Sequence, residues 1–142
     1  MPKMISIKEM KELAQKEVKA EKELAKIKFD KDLAMYRDRL KEVKPELMKY
    51  IEKRIYNGIK NNSKIGLYES HVEDIFNPIN KHGDNVLIYL ADTTLKPYDA
   101  YNTALKELAD KVRQELFDAG VKRIINNPRN CFMGEPHLFL EV

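Results

Sequence analysis

The chain has little of what builds covalent or metal-stabilised structure. Its 142 residues include no tryptophan and a single cysteine, Cys131. One cysteine excludes an internal disulfide and a cysteine-based zinc cluster. No apolar run reaches the roughly 18 residues of a membrane-spanning helix, and the N-terminus lacks the apolar segment of a secretory signal. We therefore expect a cytoplasmic protein with no membrane contact.

Glycine and proline are absent from Lys3 to Lys44, whereas the residues after Lys44 hold all five glycines and five of the six prolines. Such a run predicts a long helix. Ser6 and Glu9 have the spacing of a capping box, so the helix should begin at Ile7. Pro45 cannot donate a backbone hydrogen bond, so we expect it to end this helix and to open a second one, Pro45–Lys60. The predicted organisation is a helical arm, 1–44, and a small domain, 45–142.

Two apolar repeats run along the arm. A seven-residue repeat holds from Met10 to Ile27, with Glu17 as an exception, and then fails at Lys31. An 11-residue repeat continues further and keeps apolar residues on one face of a nearly straight helix. A domain of this size cannot cover a helix about 55 Å long. The stripe is therefore expected either to fold back near Phe29 as a hairpin or, as we favour, to contact another copy. The predicted oligomerisation residues are Ile7, Ala14, Val18, Ala25, Phe29, Tyr36 and Leu40.

The remaining sequence predicts a small α+β domain. Helices are expected at His71–Asn77 and, starting near Pro97, up to Ala119, where Gly120 supplies a stop. Val86–Leu90 is predicted as a buried strand, with a helix as the alternative. The fold class is thus α+β, a long helical arm followed by a small antiparallel or mixed sheet that helices cover. The other predicted strands are Lys64–Tyr68, Val121–Ile125 and His137–Val142.

Charge is unevenly distributed. The first 66 residues carry 18 Lys and Arg against 11 Asp and Glu, and the remainder carry 8 against 12. A basic half can neutralise phosphates, so nucleic-acid binding through the basic helix 45–64 is an alternative function. A solvated helix surface with mixed charges accounts for the same pattern. The candidate nucleic-acid residues are Lys49, Lys53, Arg54 and Lys60.

No catalytic or cofactor motif is present, so we predict a protein that is not an enzyme and binds no cofactor or metal. Asp92 follows an apolar segment, where α/β proteins often place active groups, which leaves a hydrolase or ligand site there as another alternative. Asp92 or Thr94 could equally cap the next helix. The loop Asn126–Pro136 combines amide, basic and apolar side chains and could form a recognition tip, unless its apolar residues tuck under the sheet. Its candidate partner-binding residues are Asn127, Arg129, Phe132 and Met133.

The leading hypothesis is an interaction protein that forms a homo-oligomer through its arm and binds a macromolecular partner through its α+β body. In composition, a short Lys- and Asn-rich chain with a charged helical extension, it resembles small proteins encoded by phages of AT-rich bacteria. This likeness covers no motif. It implies an accessory or host-binding role for a viral protein.

Overall fold

The computed structural model describes residues 4–76, 90, 99–127 and 135–142. These residues form three helices and a three-stranded antiparallel sheet, which confirms the α+β class and the long N-terminal helix. In chain order the elements are α1 (Ile7–Asn61), β1 (Ile65–Leu67), α2 (Glu69–Phe76), α3 (Ala100–Asp118), β2 (Arg123–Asn126) and β3 (Leu138–Glu141).

Helix α1 begins where its capping residue predicts. The Ser6 hydroxyl accepts a hydrogen bond from the backbone N–H of Glu9 at 3.2 Å, which satisfies one of the unpaired donors at the helix start. The helix ends at Asn61, because Asn62 adopts the left-handed conformation and Ser63 N–H bonds back to the Gly58 carbonyl. At 1.5 Å per residue its 55 residues extend about 80 Å.

The predicted break at Pro45 is wrong, because α1 passes through this residue without interruption. Pro45 removes one hydrogen bond from the helix, but the body packs against α1 on both sides of it. Leu40 and Val43 before the proline and Leu47 and Ile51 after it are all buried in the same core. This packing holds both segments in one helix, and tertiary contacts of this kind routinely override local propensity.

Both remaining helices start at other residues than the sequence predicts. Helix α2 begins at Glu69, two residues before the predicted start at His71. Helix α3 begins at Ala100, where the Asp99 carboxylate accepts the Asn102 N–H at 2.7 Å, so its cap is Asp99. The predicted capping residues Asp92 and Thr94 lie outside the described residues. The predicted stop is confirmed: Gly120 has a φ of 112°, and Val121 N–H bonds to the Leu116 carbonyl.

The sheet has the strand order β1-β3-β2. Ile65 pairs with Leu140 on one side of β3, and Ile124 pairs with the same residue on the other. Along β3, Leu138 and Leu140 are buried, which places one face of the sheet on the core. All three strands lie within or near predicted ones. The predicted strand Val86–Leu90 lies outside the described residues except for Leu90, which is helical and buried.

One hydrophobic core joins the C-terminal half of α1, helices α2 and α3 and the inner face of the sheet. In α1 the core begins at Leu33 and includes Leu40 and Leu47. Two ion pairs flank the α1–α3 contact: Arg37 with Glu107 at 2.6 Å and Lys44 with Glu115 at 2.8 Å. Because residue numbers rise together in these pairs, α3 runs parallel to α1.

Candidate assembly surface

The first half of α1 extends away from the body. Every residue from 7 to 31 is exposed, and burial begins only at Leu33. These 25 residues correspond to about 37 Å of helix. Large apolar side chains along the segment face solvent, among them Ile7 at 68% exposure. A long helix with exposed apolar side chains is typical of a surface that contacts another helix.

The structure divides the predicted oligomerisation residues into two groups. Tyr36 packs edge-on against Tyr101 of α3, with ring centroids 5.2 Å apart, and Leu40 is only 2% exposed. These two residues belong to the core of their own chain, so a second copy cannot contact Leu40. The other five are exposed and continue the same apolar face toward the N-terminus. We call them the outer stripe: Ile7, Ala14, Val18, Ala25 and Phe29.

A second apolar face of the same segment follows the seven-residue repeat. It comprises Met10, Leu13, Ala20, Leu24 and Ile27, which we call the heptad seam. Its side chains are as accessible as those of the outer stripe: Leu24 is 67% exposed and Ile27 64%. The sequence indicated this seven-residue repeat, but the 11-residue repeat was preferred because it extends further along the chain. The 11-residue repeat is longer because its later members belong to the core of the body.

A polar cluster joins α1, β1 and α2. Tyr68 N–H donates to the Tyr50 hydroxyl at 3.1 Å, and this hydroxyl lies 2.9 Å from His71 Nδ1. Burial raises the pKa of Tyr50 above its ordinary value. Burial, and secondarily the charge of Arg54, lowers the pKa of His71. At neutral pH the phenol is therefore protonated and the imidazole is neutral. In the tautomer of His71 that carries its proton on Nε2, the Tyr50 hydroxyl donates a hydrogen bond to Nδ1.

Arg54 has a structural role beside this cluster. Its Nε donates to the Gly66 carbonyl of β1 at 3.0 Å, and its guanidinium lies 5.3 Å from the centroid of the Tyr68 ring. The predicted nucleic-acid surface is therefore divided. Lys49, Lys53 and Lys60 are exposed, whereas Arg54 is half-buried and bonded to the body. Of the four predicted residues, the three lysines are the ones whose side chains the body leaves exposed.

His137 is buried at the start of β3, and its Nε2 lies 3.0 Å from Glu69 Oε2. His137 Nδ1 is buried and has no hydrogen-bond partner among the residues that the structure describes. The pair connects α2 to the sheet. Among the described residues, no group of three His, Cys, Asp or Glu side chains could hold a metal ion.

Of the predicted partner-binding residues, the structure describes only Asn127. Its side chain is buried, and its Nδ2 donates to the Pro136 carbonyl at 2.8 Å, so it connects the two ends of the predicted recognition loop. Arg129, Phe132 and Met133 lie outside the described residues, as does Asp92 with the alternative site proposed near it.

Comparisons with known proteins add no relative. No family model, curated protein or solved structure matches this chain. In the part of the chain that the structure describes, no helix combines the length and apolarity needed to cross a membrane.

The sequence did not predict the partner of either histidine described in the body. Tyr50 and His71 are 21 residues apart, and Glu69 and His137 are 68 apart. No short motif connects partners at such separations. The available signal was the position of His137 at the start of an apolar strand, which indicated partial burial but no partner.

Proposed function

We propose that this protein is a non-enzymatic assembly protein whose first α1 segment joins copies of the chain. The observation that carries the proposal is the exposed apolar surface of residues 7–31 on a helix anchored in the body. Exposed Leu, Ile, Val and Phe side chains at helical spacing are stabilised when another helix covers them. Each copy in such an assembly presents one α+β body, which is then available to a macromolecular partner.

Rigid anchoring of the segment supports this role. Helix α1 enters the core at Leu33 and remains there to Ile51, so the exposed half projects in a defined direction. A helix that is already formed loses less conformational entropy on association than a disordered segment does. The body therefore positions the contact surface for a second copy.

The oligomeric state of the full chain tests the proposal. Light scattering at tens to hundreds of micromolar should show reversible self-association. A variant with one asparagine on each apolar face, Val18→Asn and Leu24→Asn, should be monomeric over the same range. The matched control, Glu12→Asn with Lys19→Asn, alters two polar positions of the same segment and keeps the net charge, so it should behave as the wild type. A wild-type chain that stays monomeric throughout would refute the proposal.

A further inference from the structure

The position of the body on α1 distinguishes between the two apolar faces. The outer stripe lies on the same face of α1 as Tyr36, which packs against Tyr101, and Leu40, which is buried. The chain's own body therefore covers this face beyond residue 32. A second α1 lying parallel on the outer stripe would run directly into that body. Only a pairing that stops before Tyr36 could use this face.

The heptad seam lies roughly opposite the body. At about 100° per residue, the mean direction of Met10, Leu13, Leu24 and Ile27 is on the other side of the helix from Leu40 and Leu47. The exposures agree: Lys31, Ala34, Asp38 and Lys41 continue the same repeat and are all exposed. A second helix can therefore lie along this side of α1 while both bodies face outward.

Charges beside the heptad seam complement those of a second copy in parallel register. With Met10 and Leu24 at the first core position of each heptad, Lys16 and Glu23 lie on one flank and Glu21 and Lys28 on the other. Two parallel helices bring each residue of the first flank opposite the residue five positions later in the partner. Lys16 then faces Glu21 of the second copy, and Glu23 faces its Lys28. Twofold symmetry makes four attractive pairs.

The antiparallel arrangement is less favourable. With the seams fully overlapped, it sets Glu9 of one copy near Asp30 of the other and Lys16 near Glu23, each twice per dimer, so repulsive pairs offset the attractive ones. The parallel arrangement creates no like-charged pair on the flanks. Glu21 also has no Lys or Arg three or four residues away in its own helix, so no neighbour on the same helix neutralises it. A parallel partner supplies this missing charge.

We propose that two copies associate as a parallel, in-register coiled coil through the heptad seam, with their bodies on opposite outer sides. This inference rests on the proposed assembly function and specifies its face and orientation. The seam covers about two and a half heptads, and Glu17 occupies one of its core positions at a cost in stability. The contact is therefore a reversible one that forms with rising concentration.

Paired variants of the full chain test the choice of face. Leu24→Asn with Ile27→Asn should weaken self-association at least about tenfold, because two seam side chains lose their apolar burial. Val18→Asn with Phe29→Asn makes the same change on the outer stripe and should leave association within about twofold of the wild type. If only the outer-stripe variant dissociates, the seam assignment is wrong. A monomeric wild type would instead refute the assembly function itself.

A disulfide test determines the orientation. In a Cys131→Ser background, Leu24→Cys should form a disulfide-linked dimer under mild oxidation, because position 24 faces itself only in a parallel, in-register pair. The control, Cys131→Ser with Glu12→Cys on the polar side of the helix, should remain uncrosslinked. A chain that associates like the wild type without linking through position 24 would overturn the parallel arrangement.

Discussion

Tyr50 connects α1 to α2 and to the residue between β1 and α2 through one hydroxyl group. It accepts a hydrogen bond from the backbone N–H of Tyr68 and shares a second hydrogen bond with His71 Nδ1. Arg54, the charged side chain beside this cluster, has no acceptor atom that could take over the Tyr68 N–H. One oxygen atom therefore bonds both a backbone N–H between β1 and α2 and an imidazole nitrogen of α2.

Removing this oxygen should destabilise the body. We expect Tyr50→Phe to lower the free energy of unfolding by about 1–3 kcal/mol, because a half-buried N–H and an imidazole nitrogen lose their partner. Urea denaturation of both proteins measures the difference. Tyr56→Phe is the matched control, since Tyr56 lies on the same helix and is exposed; it should change stability by less than about 0.5 kcal/mol. Equal effects of the two substitutions would refute the hydrogen-bonding role.

His71 should make stability depend on pH. Its pKa in the folded state lies below the ordinary value of 6.5, so the unfolded chain binds a proton more readily. Its contribution is therefore fully present above pH 6.5 and is lost as pH falls through the lower folded pKa. His71→Gln keeps an acceptor for Tyr50 but does not titrate. Melting temperatures measured on both sides of pH 6.5 should fall more on acidification for the wild type than for this variant; parallel pH profiles would contradict the assignment.

At the scale of elements, local signals in the sequence predicted where a helix begins or ends better than whether a helix is interrupted. The Ser6 cap and the Gly120 stop depend on residues within one helical turn, so both could be identified from spacing alone. The predicted helix break at Pro45 was wrong because the continuity of the helix depends on the burial of Leu40 and Leu47. That burial is a property of the whole fold. The Tyr50–His71 and Glu69–His137 pairs could not be predicted for the same reason, since only tertiary structure brings them together.

Pro45 should still lower the stability of α1 although it does not break the helix. We expect Pro45→Ala to raise the free energy of unfolding by about 1–3 kcal/mol, because alanine restores a backbone hydrogen bond and relieves crowding against the preceding turn. Thermal and urea unfolding measure the gain. Lys41→Ala changes an exposed side chain one turn earlier and leaves the backbone donors intact, so it serves as the control. A loss of stability in Pro45→Ala would show that the fold requires a local bend here.

At the scale of the whole molecule, α1 consists of two segments in different environments, and sequence periodicity cannot distinguish them. From Leu33 onward its apolar face builds the core of its own body, whereas before that point the apolar residues are exposed. The 11-residue repeat crosses this boundary and so resembles one continuous interface. Exposure divides it into a part that folds the monomer and a part available for assembly.

This division predicts that similar leucine substitutions in one helix affect different equilibria. Leu40→Ala removes a buried side chain and should lower the free energy of unfolding by about 2–5 kcal/mol. Leu24→Ala should leave unfolding at low protein concentration within about 0.5 kcal/mol of the wild type, because Leu24 is exposed in the monomer. At high protein concentration, by contrast, Leu24→Ala should weaken self-association measured by light scattering. If Leu24→Ala destabilised the dilute monomer as much as Leu40→Ala, residues 7–31 would pack on their own body, and the assembly surface would be lost.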